Sequence, residues 1–131
     1  MFAWGKYILW LMEGYQSPPL GNEISCVMHG IDEEILNNSL ELENALLGAL
    51  NEDGFTILEK ASHKFNPKGF TLMVMLAESH VSIHTYPEHN SLYFGLYSCR
   101  GEGDGMKTYK IFKNKINPKS VDFIQRAINV G

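Results

Sequence analysis

An apolar run over residues 72–77, and the polar positions that follow it, constrain the fold of this chain most strongly. A run of this length and composition is typical of a buried strand. After the run, His80, Ser82 and His84 occur at every second position, and alternate residues of an extended chain lie on one face. Because polar groups cost free energy to bury unless they are hydrogen-bonded, this pattern predicts a functional site on one face of a sheet.

The rest of the chain predicts further strands and two helices. Asn38 followed by Glu41 resembles a capping box within a helix over residues 32–51, and Gly54 ends that helix. We expect strands over 6–13, 55–65, 71–78, 79–86 and 91–99, and turns at 66–69 and 87–90. Residues 16–30 predict a loop, in which 26–28 form either a short extended piece or a flap. Residues 107–116 fit a strand or a helix. Asn117-Pro118 is typical of a helix start and predicts a second helix carrying Val121, Ile124 and Ile128.

Length and composition limit the class of protein. The chain has 131 residues, which fits a single domain, and its hydrophobic fraction of 44% is ordinary for a globular protein. Its 11 basic and 15 acidic residues give a net charge of −4, which excludes the basic surface that nucleic-acid binding needs. Two cysteines are too few for a disulfide framework and favour the cytoplasm. The apolar residues 1–12 are too short to span a membrane, so we expect no membrane partner.

These elements predict an α+β two-layer sandwich, a mostly antiparallel sheet with the helices on one face. Large apolar groups occupy both faces of the strand over 91–99, where Tyr93 and Tyr97 alternate with Phe94 and Leu96. We therefore expect a partner protomer to cover the second face of the sheet.

Ser79, His84 and Cys99 form the candidate reactive set. The Ser79 hydroxyl directly follows the Glu78 carbonyl, His84 comes five residues later across an expected bend, and Cys99 ends the next strand. A serine, a histidine and a cysteine brought together can perform nucleophilic or proton-transfer chemistry, and composition leaves that choice open.

At these residues the chain resembles the pyruvoyl-dependent S-adenosylmethionine decarboxylases of prokaryotic type. The resemblance is carried by Glu78-Ser79-His80, Ile83-His84-Thr85, Pro87-Glu88 and Ser98-Cys99, with His63-Lys64-Phe65 upstream. It implies that the chain cleaves itself into residues 1–78 and 79–131. The new terminus would carry a pyruvoyl cofactor made from Ser79, without a metal, which binds the substrate amine and acts as an electron sink.

The resemblance also implies roles for individual residues. His84 would remove the α-proton of Ser79 during processing, and the Thr71 hydroxyl would steady the processing intermediate. Cys99 would return a proton to the substrate after decarboxylation. Phe65, from a neighbouring protomer of a homodimer, would stack on the adenine, and Glu88 would hold the ribose hydroxyls.

Other interpretations remain open at this stage. Gly95 stands where relatives usually have an acid, and Arg100 where they usually have glycine, which points to a basic amino acid such as ornithine or arginine as an alternative substrate. A regulatory paralogue without activity is a further alternative. A metal site built from His80, His84, His89 and Glu88 is disfavoured because it lacks a His-x-His pair on one strand.

Overall fold

The computed structural model describes residues 16–131, and these residues form one six-stranded antiparallel sheet with three helices. The elements are β1 (Leu20–His29), α1 (Glu33–Leu36), α2 (Ser39–Glu52), β2 (Ile57–Lys64), β3 (Phe70–Leu76), β4 (Ser79–Tyr86), a 3₁₀ turn (Pro87–His89), β5 (Ser91–Ser98), α3 (Met106–Ile116) and β6 (Ser120–Asn129). The strand order is β2-β3-β4-β5-β1-β6. The predicted α+β sandwich is confirmed. The strand expected over residues 6–13 lies outside the described residues.

The core lies between one face of the sheet and helices α2 and α3. On β4 the residues Val81, Ile83 and Thr85 are buried, while the alternate residues are partly or fully exposed. Helix α2 contributes the stripe expected from its spacing, namely Leu42, Ala45, Leu46, Ala49 and Leu50. The opposite face of the sheet, called the open face below, carries no helix within residues 16–131.

The predicted loop over residues 16–30 is wrong, because ten of these residues form β1. This strand lies inside the sheet, paired with β5 on one side and β6 on the other. Its alternate residues Asn22, Ile24, Cys26 and Met28 are buried. The prolines that suggested a loop, Pro18 and Pro19, precede the strand, where a missing N–H is harmless.

The predictions for the C-terminal part are partly wrong. The ambiguous segment is helix α3, with Tyr109, Phe112 and Ile116 buried on one stripe. Asn117 does not start a second helix: it caps the end of α3 with a left-handed φ of 56°. Pro118 follows it and cannot continue the helix. The next residues form β6, which lies along β1, so the expected second helix is absent from this segment.

The predicted helix over residues 32–51 is confirmed, but as two pieces. The break falls at Asn38, whose side-chain Oδ1 accepts a hydrogen bond of 3.1 Å from the Glu41 backbone N–H. This is the N-cap interaction that the sequence predicts. Gly54 follows α2 with a φ of +81°, a backbone conformation that glycine adopts without strain.

Candidate active site

The open face carries the polar side chains that the alternation of β4 predicts. His80, Ser82 and His84 lie on it, and the strands beside β4 add residues at the same level. His80 pairs with Met75 and Tyr97, and His84 pairs with Thr71 and Tyr93. The predicted polar face therefore exists, and its candidate residues divide between two ends of the sheet.

The first group, called the Ser79 end, contains Glu78, Ser79, Tyr97 and Cys99. Ser79 starts β4 directly after the turn at Ala77-Glu78, and its backbone pairs with Ser98, the last residue of β5. Cys99 follows Ser98, so its thiol belongs to the same end of the sheet. The backbones of Ser79 and Cys99 therefore lie at the same end of the sheet.

The Ser79 hydroxyl is buried without a hydrogen-bond partner among residues 16–131. An unpaired buried hydroxyl costs about 1–3 kcal/mol, so its presence beside the Glu78 carbonyl needs an explanation. The Thr56 hydroxyl is buried and unpaired in the same way, and the Thr56 carbonyl accepts a 3.0 Å hydrogen bond from the Ala77 N–H of the turn. Sequence reasoning did not single out Thr56, since no pattern distinguishes it from an ordinary strand residue.

An apolar depression of about 370 Å³ opens beside Ser79 on the open face. Met73, Met75 and His80 line it together with residues of the edge strand β2. The two methionines are 55% and 57% exposed, an unusual state for neighbouring large apolar side chains at the centre of a strand. The depression provides a place for a substrate or for a packing partner next to the serine.

The second group, called the His84 end, contains Thr71, His84, Phe65 and Glu88. Thr71 Oγ1 and His84 Nδ1 are 3.0 Å apart, so the hydroxyl fixes the orientation of the imidazole ring. The Tyr93 ring lies beside that of His84, with centroids 5.9 Å apart. Phe65 is 53% exposed just beyond β2, and Glu88 lies exposed in the 3₁₀ turn after β4.

His84 does not approach Ser79 within one chain, and the expected bend between them is wrong. β4 is continuous from Ser79 to Tyr86. Five residues of extended chain separate the two by about 17 Å, so one chain does not bring the imidazole to the serine hydroxyl. One chain therefore places Ser79 and Cys99 at one end of the sheet and the bonded pair of His84 and Thr71 at the other.

Arg100 belongs to a network of ion pairs below the Ser79 end. Its guanidinium donates to Asp104 at 2.7 Å and to Asp53 at 3.3 Å, and it lies 3.6 Å over the Phe55 ring. Asp104 also accepts a hydrogen bond from the Ser98 hydroxyl. Burial would raise the pKa of Asp104, but the hydrogen bonds and charge of Arg100 and Ser98 outweigh it and lower that pKa. The guanidinium thus binds two carboxylates of the same chain.

Gly95 lies on the open face at the level of Ser25 and Ser82, on the face shared with Cys99 as expected. The Tyr93 hydroxyl fills the room of its missing side chain: a Cβ at position 95 would lie 2.6 Å from that oxygen. Tyr93 Oη and Ser25 Oγ are 3.2 Å apart. A hydroxyl pair therefore occupies the region in which a carboxylate was expected.

Two further features concern metals and membranes. Among the residues described, no three His, Cys, Asp or Glu side chains are grouped as metal ligands, and His80 and His84 belong to different ends of the open face. Within residues 16–131, no helix has the length and apolar character needed to cross a bilayer. Both cysteines are free thiols.

Comparison with known proteins identifies a family of similar chains. A family profile described as S-adenosylmethionine decarboxylase matches residues 22–127. The S-adenosylmethionine decarboxylase proenzyme of Sulfurihydrogenibium sp. (strain YO3AOP1) is 33% identical over 103 residues, which cover 79% of this chain and 77% of that protein. The corresponding proenzyme of Aquifex aeolicus (strain VF5) is 34% identical over 106 residues, with coverages of 79% and 76%.

Solved structures show the same fold. The crystal structure of the adenosylmethionine decarboxylase from Aquifex aeolicus superposes with a TM-score of 0.76 at 27% identity, over 88% of this chain and 93% of that one. A monomer of the Trypanosoma brucei enzyme, with a TM-score of 0.58 and 15% identity over 79% and 45% of the two chains, shares the fold alone. The fold and the profile define an α+β sandwich of the decarboxylase class. More specifically, the chain belongs to the S-adenosylmethionine decarboxylase family, and the resemblance that the sequence suggested is confirmed.

Proposed function

We propose that this protein is a self-processing, pyruvoyl-dependent decarboxylase that acts on S-adenosylmethionine and supplies the aminopropyl donor of polyamine synthesis. Membership of the family supports the reaction class and the substrate. The observation that carries the proposal is the Ser79 hydroxyl, which is buried and unpaired at a turn directly after the Glu78 carbonyl. A hydroxyl without a hydrogen-bond partner keeps its lone pairs available for attack on that carbonyl.

Processing converts one peptide bond into two new termini. Ser79 Oγ attacks the Glu78 carbonyl carbon, and the C–N bond breaks to leave an ester and a free amine. A base then removes the Ser79 α-proton, the Cβ–Oγ bond breaks, and Glu78 leaves as a carboxylate. Addition of water and loss of ammonia turn the remaining enamine of residue 79 into a pyruvoyl group. The serine oxygen therefore ends in the carboxylate of Glu78, and no external oxidant is required.

The sheet topology explains how the cleaved protein would stay together. Residues 16–78 contribute β1, β2 and β3, while residues 79–131 contribute β4, β5 and β6. In the strand order β2-β3-β4-β5-β1-β6, strand β1 of the first piece lies between β5 and β6 of the second. Separating the pieces would break three strand interfaces, so cleavage at residue 78 should leave one folded unit.

The residues at the Ser79 end fit the needs of a pyruvoyl group. That group supplies an electrophilic carbonyl for the substrate amine and an electron sink when carbon dioxide leaves. The apolar depression beside Ser79 offers an apolar surface for part of a substrate, and Cys99 follows Ser98 at the same end of the sheet. We assign Cys99 as the residue that returns a proton to the substrate, Phe65 to the adenine and Glu88 to the ribose.

Two copies of the chain are needed to complete this site, and we propose a homodimer packed through the open faces. His84, Thr71, Phe65 and Glu88 lie at the opposite end of the sheet from Ser79 and Cys99. A two-fold axis would place the His84 end of one protomer against the Ser79 end of its partner, since such interfaces are self-complementary. The same packing would cover the exposed Met73 and Met75.

Intact-protein mass spectrometry of the purified protein tests the processing step. We expect two fragments that separate only in denaturant, the second beginning with a carbonyl-capped residue 79 that hydroxylamine or borohydride modifies. The Ser79→Ala variant should remain a single chain with no carbonyl to trap. A wild-type chain that stays intact under the same conditions would overturn the proposal and favour a regulatory paralogue.

Release of labelled carbon dioxide tests the substrate. The processed protein should decarboxylate S-adenosylmethionine, and ornithine or arginine at the same concentration should give the rate of the Ser79→Ala control. Because the Arg100 guanidinium is bound by Asp53 and Asp104, the structure offers no support for a substrate change at that position. Decarboxylation of ornithine or arginine, and not of S-adenosylmethionine, would support the pyruvoyl chemistry but contradict the proposed substrate.

A further inference from the structure

Cys99 lies between two residues whose side chains bind the same carboxylate. The Ser98 hydroxyl donates a hydrogen bond to Asp104 Oδ2, and the Arg100 guanidinium donates to both carboxylate oxygens of Asp104, at 2.7 and 3.0 Å. The Ser98 hydroxyl also accepts a 3.1 Å hydrogen bond from the Arg100 backbone N–H, across Cys99. Ser98, Arg100 and Asp104, called the Asp104 clamp below, therefore hold the backbone on each side of Cys99.

The position of Asp104 is fixed by the loop that carries it. Its backbone carbonyl accepts a 2.6 Å hydrogen bond from the buried Asn22 side chain of β1. Gly101 and Gly103 have φ values of +136° and +71°, and a Cβ at either position would contact no other part of the described chain within 4 Å. The loop needs these glycines for its backbone conformation, since other residues rarely adopt it. In that conformation the loop returns the Asp104 carboxylate to the end of β5.

The Asp104 clamp is largely shielded from solvent, whereas Cys99 is not. Ser98 is fully buried, and the side chains of Arg100 and Asp104 are only 15% and 20% exposed. Hydrogen bonds to a charged group are stronger than those between neutral groups, and a low-dielectric surrounding strengthens them further. Cys99 itself is half-buried and carries a free thiol. The clamp thus restrains the backbone at Cys99 without occupying its sulfur.

We propose that Asp104 is a positioning residue for Cys99, which fixes through Ser98 and Arg100 the backbone that carries the thiol. The inference rests on the role proposed for Cys99 as the proton donor to the substrate. A proton donor must lie within hydrogen-bond distance of its acceptor, so a small displacement of the thiol slows proton transfer. Substrate affinity should not depend on the clamp, because Asp104 acts through Cys99 and has no assigned contact with the substrate.

Amide hydrogen exchange, measured by mass spectrometry in the uncleaved Ser79→Ala protein, tests the clamp. Ser98→Ala removes the acceptor of the Arg100 N–H and one bond to Asp104. Exchange in residues 99–105 should therefore become about fivefold faster, the equivalent of one lost hydrogen bond. Ser98→Thr keeps the hydroxyl and should exchange like the parent. Unchanged exchange in Ser98→Ala would overturn the inference.

The matched control is Thr108→Val. It keeps the shape of a buried side chain and removes a 2.8 Å hydrogen bond to Asp53, a bond of the same network that involves neither Ser98 nor Asp104. Exchange in residues 99–105 should stay at the parental rate in this variant. Faster exchange there, equal to that of Ser98→Ala, would show that any damage to the network loosens the segment, and would overturn the specific role of the clamp.

Kinetics of the processed protein test the consequence for the reaction. Expressed per cleaved chain, kcat should fall about tenfold in Ser98→Ala and in Asp104→Asn, while KM for S-adenosylmethionine stays unchanged. Ser98→Thr and Thr108→Val should keep the parental kcat. A raised KM with an unchanged kcat, or an equal loss of kcat in Thr108→Val, would overturn the inference. A wild-type chain that is never cleaved would overturn the proposed function instead, and the exchange result is independent of that outcome because it requires no cleavage.

Discussion

The Ser79 end and the His84 end of the open face are organised in opposite ways. At the Ser79 end, the hydroxyl of the serine is buried and unpaired among the described residues. At the His84 end, the imidazole already has a hydroxyl partner, Thr71 Oγ1, at 3.0 Å. A nucleophile left unsatisfied and a base held in a fixed orientation are what a proton-assisted acyl shift needs, but a single chain keeps them about 17 Å apart.

The supports beneath the two ends also differ. The Ser79 end lies above a charged network in which Arg100 joins Asp53 and Asp104 and packs on Phe55. At the other end the supports are hydroxyl and ring contacts, such as the pair of Tyr93 and Ser25. The comparison shows that buried ion pairs lie beside the proposed cleavage site and are not among the contacts described at the His84 end. We expect the ends to respond differently to mutation, salt and pH.

The strongest test of whether the site is completed by two chains mixes two inactive variants. Ser79→Ala removes the nucleophile, His84→Ala removes the base, and neither should be cleaved alone. In mixed dimers, the intact serine of the His84→Ala chain meets the histidine of the Ser79→Ala chain. Random pairing of equal amounts should therefore give cleavage of about half of the His84→Ala chains. Mass spectrometry of the coexpressed, differently tagged chains measures the fraction.

A control keeps this experiment decisive. Coexpression of His84→Ala with a chain that carries both substitutions should give no cleavage, because no histidine is then supplied. If the His84→Ala chain alone is cleaved at the wild-type rate, His84 is not the base. If mixing with Ser79→Ala restores nothing, although the tags show that mixed dimers form, the two ends do not complete each other across an interface.

The second prediction concerns the network below the Ser79 end. Arg100→Ala leaves Asp53 and Asp104 unpaired in a mostly buried position, so the free energy of unfolding should fall by about 3 kcal/mol. The matched control is Arg126→Ala, which breaks an exposed ion pair with Glu23 and should cost less than about 1 kcal/mol. Urea unfolding in the uncleaved Ser79→Ala background measures both. Equal losses would show that the buried network of Arg100 stabilises the fold no more than an exposed ion pair does.

Local patterns in the sequence predicted the parts of this fold whose partners are close in the chain. The alternation of His80, Ser82 and His84 predicted the open face, and Asn38 predicted the start of α2. Strand β1 was missed because the two prolines before it and the glycine within it indicate a turn. Position 21 is a glycine because the Tyr97 ring occupies the space that a side chain would need. Tyr97 is 76 positions away in the chain, so no local sequence pattern shows this contact.

The C-terminal segment shows the same limit. Val121, Ile124 and Ile128 fit a helical spacing, and Asn117 fits either a helix start or a helix end. Pairing with β1 over ten positions makes the segment a strand, and that register is not readable from the segment itself. For the site, the family resemblance identified Ser79 and His84 as candidate residues. It did not predict the distance between them, which follows from β4 being one continuous strand.

The third prediction concerns orientation at the His84 end. Thr71→Val keeps the shape of the side chain and removes the hydrogen bond to His84, which is worth about 1 kcal/mol. Self-cleavage should therefore slow about fivefold, whereas Thr71→Ser should cleave at nearly the wild-type rate. Pulse labelling during cell-free translation measures the half-time. Ser82→Ala, on the same face between the two ends, is the control for nonspecific effects. A valine variant that cleaves normally would remove Thr71 from the processing machinery.

The fourth and smallest effect is confined to acid pH at the Ser79 end. The hydrogen bonds and charge of Arg100 and Ser98 lower the pKa of Asp104 below its ordinary value despite its burial. A carboxyl group whose pKa is lower in the folded than in the unfolded state contributes stability that is complete above the unfolded pKa, about 3.9, and is lost as the pH falls through the folded value. The stability difference between the parent and Asp104→Asn should thus narrow below about pH 4. Urea unfolding in the uncleaved Ser79→Ala background measures it, and a difference that stays constant between neutral and acid pH would show that Asp104 is not held ionised by this network.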